Sequence, residues 1–173
     1  MDFTSLIKQR CSVRAYKEQK VEAEKIQLIL DAGRIAPTAG NRQPQRILVI
    51  ESKEGLEKLT KACNPHGAPL AFIICADKET AWTRSKFDNF KSCEIDASIA
   101  TDHMMLQAQV LGLSSCWIIH FNPDALVEEY NIPDNLVAVN VLVVGYAEGE
   151  VKSPERHEAD RKPLSEIVFH EMF

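Results

Sequence analysis

CEIDASIATDHMMLQAQVL (93–111) reads as the longest helix of this chain, and it is apolar on nearly every face. Ile95, Ala97, Ile99, Ala100, Met104, Met105, Leu106, Ala108, Val110 and Leu111 leave no broad polar side. A surface helix of a globular protein keeps one apolar stripe and turns the rest to water, so this helix has to be covered on more than one side. The chain has 173 residues, enough for one well-buried domain and too few for two. In a domain that small the cover comes from a central position or from another subunit, and the subunit is the expectation here. Gly112 ends the helix.

Working outward, SCWII (115–119) reads as a strand, Asn122-Pro123 as the cap and first residue of a helix over 123–130, and LVAVNVLVVGY (136–146) as a further strand. Upstream, LAFIICA (70–76) and ILVI (47–50) are buried strands, and Ser52 caps a helix over 53–62. A helix over 22–35 carries Val21, Ile26, Ile29, Leu30 and Ile35 at helical intervals and stops at Pro37. Residues 36–45 (APTAGNRQPQ) form a turn-rich loop, residues 77–91 are polar and irregular, and a short helix reaches about residue 9. The charged tail 147–162 leads into PLSEIVF (163–169), a short docking element. The elements lack the strict alternation of a doubly wound sheet, so the fold class is α+β, a sheet with helices against it, in one domain over 1–173.

Between the first two helices lies Arg10-x-Ser12-x-Arg14. Alternate residues of an extended segment point the same way, so two guanidiniums and a hydroxyl, about 7 Å from first to third, can close around a phosphate. Charge agrees. The chain carries a formal −5, yet residues 1–20 hold Lys8, Arg10, Arg14, Lys17 and Lys20 against Asp2 and Glu18, a net +3 that leaves −8 on the rest. One local basic cluster on an acidic molecule suits a small anion and argues against a nucleic-acid backbone, which needs a broad basic face. Neither G-x-G-x-x-G nor a Walker loop is present, so any nucleotide is held another way. The five cysteines form no C-x-x-C, the histidines have no metal-ligand spacing, and G-x-S-x-G and H-E-x-x-H do not occur. No run is long and apolar enough for a membrane span, and MDFTSLIKQR lacks a signal-peptide core, so a cytoplasmic location is expected.

Five ordered landmarks, QRCSVRAY (9–16), GRIAPTAGNRQPQ (33–45), DASIATDHMMLQAQVLGLSSCWI (96–118), IPDNLVAVNVLVVGYAEG (132–149) and RKPLSEIV (161–168), resemble the nitroreductase family in its short, single-domain form. The resemblance implies a mixed, mainly antiparallel sheet flanked by helices, and an intertwined homodimer with an FMN site at the interface built from both chains. Arg10 and Ser12 then match positions at the phosphate and ribityl oxygens, and Arg14 one nearer the ring. Cys11 lies in the same stretch, where many relatives carry a second arginine. Pro37, Thr38, Ala39, Asn41 and Gln43 match the loop that reaches the partner's FMN, and Arg161 the C-terminal arginine at the phosphate. Backbone groups at Ile119 and His120 match the strand end beside the flavin N5. Relatives often have glycine near His120 and an aromatic residue at Gln45. The helical insertion of larger members has only residues 77–91 as its counterpart, where Trp82, Phe87 and Phe90 form either a small lid or an aromatic-bearing surface loop. Asn64 and His66 fall near the flavin edge without an assigned role.

The activity implied is hydride transfer from NADH or NADPH through FMN to a small organic acceptor such as a nitroaromatic or quinone, by a ping-pong scheme in which no side chain acts as nucleophile. The alternative is a non-enzymatic FMN-binding sensor or flavin reserve protein.

Overall fold

The computed structural model describes residues 2–173. Four strands, β1 (Gln45–Ile50), β2 (Leu70–Asp77), β3 (Ser114–Ile118) and β4 (Leu136–Gly145), pair antiparallel in the order β1-β2-β4-β3. All eight residues of β2 are buried, as a strand covered on both faces must be. Its side chains alternate between two cores: Leu70, Phe72 and Ile74 pack on one side of the sheet, Ala71, Ile73 and Cys75 on the other. Each fully buried Leu, Ile or Phe contributes about 1.5–3 kcal/mol.

On the first side lie α2 (Ala23–Ile35) and α4 (Cys93–Val110), through Ile26, Ile29, Ala97, Met104 and Ala108. On the other lie α3 (Lys53–Leu59) and α5 (Pro123–Tyr130), through Leu59 and Leu126. Local chemistry sets their ends. Ser52 accepts from the Gly55 N–H at 3.0 Å, and Asn122 accepts from Asp124 and Ala125 at 3.1 and 3.3 Å with Pro123 as first helical residue. The left-handed Asn131 (φ 51°) closes α5.

The N-terminal α1 (Phe3–Gln9), capped by Asp2, leads into the extended segment 10–17. Val13 N–H donates to Ser115 O (3.0 Å), Lys17 N–H to Tyr146 O (2.9 Å) and Glu148 N–H to Ala15 O (2.9 Å), so the segment lies across the start of β3 and the end of β4. The Ser12–Ser115 bridge is parallel, which makes the sheet mixed but mainly antiparallel.

The second side of α4 is left uncovered by this chain, as the expectation of a subunit cover requires: Ile95 and Val110 are 52% and 57% exposed. One expectation changes. The C-terminal helices α6 (Arg156–Asp160) and α7 (Leu164–Ile167) are followed by residues that stay exposed through Phe173, so 163–169 does not dock on its own chain. Among the described residues no helix is long and apolar enough to cross a membrane.

Candidate functional site

Residues 10–14 alternate as their sequence predicts, and the period breaks at Ala15, which is exposed beside Arg14. Cys11, Val13 and Tyr16 are buried in the α3/α5-side core, and Arg10, Ser12 and Arg14 turn outward. The Tyr16 hydroxyl donates to Val13 O at 2.8 Å, and burial pushes it far above the ordinary value for a phenol, so it stays protonated. The outward side chains line an open cleft of about 280 Å³ together with Cys11, Lys152, Arg156, His157, Asp160 and Arg161. Five permanent cations face one carboxylate there, and among the described residues Arg10, Arg14 and Arg161 form no ion pair. Unpaired guanidiniums converging on one space constitute a receptor for a multiply charged anion, and their fork geometry suits phosphate oxygens.

Arg156 plays a different part. Its guanidinium donates to Ser153 O (2.8 Å), Lys8 O (3.3 Å) and Arg10 O (2.6 Å), and the His157 Nε2 lies 3.1 Å from Lys8 O. These bonds pin α6 to the end of α1 and carry Arg161, the next residue after α6, to the cleft.

Arg14 also lines a second cleft, of about 290 Å³, with Asn64, His66, Cys116, Trp117, Ile118, Ile119 and His120. Ile119 is 76% exposed just past the end of β3, which leaves the backbone at 119–120 open to a ligand. Cys116 and Ile118 point into the α3/α5-side core, whereas the Trp117 side chain packs on the opposite face of the sheet with its Nε1–H buried and unpartnered. Trp117 is therefore a core residue that offers the cleft its backbone. Burial pushes the Cys116 thiol up, with Arg14 and Ser12 acting against it. Burial first and Arg14 second hold His66 below the ordinary histidine value.

The loop 37–43 lies elsewhere. Ala39 N–H donates to the buried Asp96 Oδ1 at 2.8 Å, Gln43 N–H to Thr38 Oγ1 at 3.0 Å and Gln43 Nε2 to Asn41 O at 3.2 Å. Gly40, Asn41 and Gln43 are all left-handed (φ 57°, 52° and 51°), a conformation that side-chain-bearing residues adopt only when held there. Asp96 stands in the first turn of α4, and Ser12 pairs with Ser115, just beyond its other end. An 18-residue helix is about 27 Å long, so Pro37, Thr38, Ala39, Asn41 and Gln43 do not share a cleft with Arg10, Ser12 and Arg161 of the same chain.

Residues 7–66 and 56–146 match the model of the nitroreductase family. The chain belongs to the nitroreductase family. A nitroreductase family protein of Clostridium difficile 630 is 54% identical and superposes with a TM-score of 0.98 over 100% of both chains. An FMN-dependent nitroreductase of Clostridium difficile R20291 is 30% identical, with a TM-score of 0.79 over 99% of this chain and 100% of that one. The Bacillus subtilis (strain 168) protein named FMN reductase, NAD(P)H, is 26% identical over 162 residues, 83% of this chain and 65% of that protein.

In this nitroreductase-family chain, sequence reasoning missed Lys152, Arg156 and His157 as cleft residues. Their signal was the cationic cluster Arg156-His157 four to five residues before Arg161, one helical turn that brings them to one side. Asn64 and His66 gave a weaker signal, a turn written as Asn-Pro-His-Gly.

Proposed function

We propose that this protein is an FMN-dependent oxidoreductase that moves hydride from NAD(P)H to a small organic acceptor, a nitroaromatic, quinone or similar molecule, in alternating half-reactions at one place. The observation that carries this reading is the cleft of unpaired cations joined through Arg14 to the second cleft. The relatives' names, FMN-dependent nitroreductase and FMN reductase, supply the ligand that fits both.

On this reading Arg10, Ser12 and Arg161 hold the phosphate, with the backbone at Cys11 alongside. Arg14, at the junction, faces the ring end, where a fixed cation favours added negative charge. The open backbone at Ile119 and His120 meets the ring edge without introducing a titrating group there. Bound FMN supplies the hydride-carrying centre, and the protein binds it, orients it and excludes water from one face. Because loop 37–43 stands a helix length from the cation cleft of its own chain, its backbone and its Asn41 and Gln43 amides serve the site of a second copy. A homodimer with two FMN sites at the interface follows, each chain 1–173 forming one FMN-binding domain. The half-exposed outer side of α4 is the surface available for that contact.

Titrating ligand-free protein with FMN tests the reading directly. We expect saturable binding, bleaching of the yellow colour by NADH or NADPH without oxygen, and its return with a quinone or nitroaromatic. Arg10→Ala should weaken FMN binding about tenfold or more with association state intact, the scale of a lost charge-assisted hydrogen bond. Unchanged affinity removes the phosphate assignment. Binding without bleaching points to a flavin reserve protein, and no binding at all overturns the proposal.

A further inference from the structure

His66 occupies a turn that other residues fill with less strain. The Ala68 N–H donates to Pro65 O at 3.1 Å, and both central residues are left-handed, His66 at φ 56° and Gly67 at φ 72°. Two successive positive φ values define a type I′ turn, for which Asn-Gly and Gly-Gly are the favoured pairs. Histidine tolerates this region better than most side chains, yet a non-glycine residue there still costs about 1–3 kcal/mol. Strain of that size persists where the side chain is used. Asn64 Oδ1 accepts the His66 N–H at 2.9 Å and fixes the turn, so the imidazole is carried on a stiff support to the wall of the second cleft.

The titratable groups around it come from three directions: Arg14 from the N-terminal segment, the buried Cys116 thiol from β3 and His120 from the connection to α5. No carboxylate lines this cleft among the described residues. Burial and the nearby Arg14 cation hold His66 below the ordinary histidine value, which favours the neutral ring. A negative charge delivered into the same cleft would offset Arg14 and raise the proton affinity of the ring. His66 is thus poised to gain a proton when electrons arrive and to lose it when they leave.

We propose that His66 is the proton carrier of the second cleft, loading one proton from solvent as the bound cofactor is reduced and giving it to the acceptor as the cofactor is reoxidised. The assignment rests on the FMN reading above. Its balance is closed: NAD(P)H gives up one hydride and becomes NAD(P)⁺, and the acceptor gains that hydride and one proton. The proton leaves the His66 imidazolium as the N–H bond breaks and the new O–H or N–H bond of the acceptor forms. Solvent replaces it in the next reduction. His120 borders the same cleft, but it is exposed and lacks the side-chain anchor that fixes the His66 turn.

His66→Asn tests this, because Asn keeps the left-handed turn and removes the titrating ring. Proton uptake during anaerobic reduction of the FMN-loaded protein is measured with a pH indicator in weak buffer, and the midpoint potential is followed against pH. We expect His66→Asn to take up one proton fewer per pair of electrons than the natural protein in the window where the imidazole changes charge. We also expect its turnover at neutral pH to fall by about 10²-fold, the scale of general-acid loss, with the histidine limb of the pH profile gone. His66→Gly, which relaxes the same turn, should show the same deficit. Identical proton uptake and pH profile in variants that still bind FMN overturn the His66 assignment and leave the cofactor reading standing. A natural protein that binds no FMN overturns both.

Discussion

Gly145, the last residue of β4, has no room for a side chain: a Cβ would stand 2.7 Å from Pro69 Cδ and 3.1 Å from Tyr16 Cδ1. A proline ring cannot swing aside, and Tyr16 is buried with its hydroxyl bonded to Val13 O. The glycine therefore seats the segment that carries Arg10, Ser12 and Arg14. Gly145→Ala should destabilise by about 1–3 kcal/mol, lowering the thermal midpoint by several degrees, and should weaken FMN binding through the displaced segment. Gly33 makes the informative contrast, because its added Cβ would meet Met104 Cγ and Sδ at 2.9 Å and a thioether chain can shift. Calorimetry of the two alanine variants should show the larger loss at Gly145, and equal losses would refute the seating role. At this scale the sequence was informative where the rule is local. Period-two alternation placed Arg10, Ser12 and Arg14 on one side because strand geometry alone decides it. The part played by Arg156 was not legible, since its acceptor at Arg10 O lies 146 residues away.

α4 shows what periodicity can and cannot convey. Its inner face, Ala97, Ala100, Met104 and Ala108, is fully buried against α2 and the sheet, and its outer face keeps Ile95, Ile99, Leu106 and Val110 at intervals of about four and seven residues. The all-round apolar composition announced a helix with two covers, but apolar side chains are alike whether the cover is the same chain or another. Packing within the chain accounts for one face only. Ile95→Glu combined with Val110→Glu should leave the fold of a single chain within about 0.5 kcal/mol, because both side chains are exposed there. In the homodimer proposed above, the same pair should shift sedimentation equilibrium from dimer toward monomer by placing charges inside the contact. A double variant that remains fully dimeric would remove α4 from the interface. Element boundaries were less legible than element types. The helix expected over 53–62 stops at Leu59 because the next turn closes by shorter bonds, Ala62 N–H to Leu59 O at 3.0 Å among them.

The order β1-β2-β4-β3 is a property of the whole chain, and nothing within a single strand specifies a partner tens of residues away. Its consequence is two cores back to back, and all five cysteines are buried within the molecule. Burial pushes Cys63 and Cys75 from 9.0 up to about 11, and Tyr130 from 10.0 up to about 12, while the Tyr130 hydroxyl donates to Gly55 O at 2.7 Å. A group whose folded value is raised binds its proton more tightly in the native state, so its contribution is complete below the unfolded value and disappears as pH climbs to the folded one. For the two thiols that window is pH 9 to about 11. Each removes up to about 1.4 kcal/mol per pH unit across it, roughly 2–3 kcal/mol in all. Denaturant unfolding under reducing conditions should therefore give constant stability from pH 7 to 8.5 and a steep fall above pH 9. Cys75→Ala starts less stable, because it leaves a small cavity in the core between β2 and α3/α5, yet it should lose less on going from pH 8.5 to 11. A stability that stays level through pH 11, or an equal alkaline loss in Cys75→Ala, would mean that buried thiols do not set the upper pH limit of this fold.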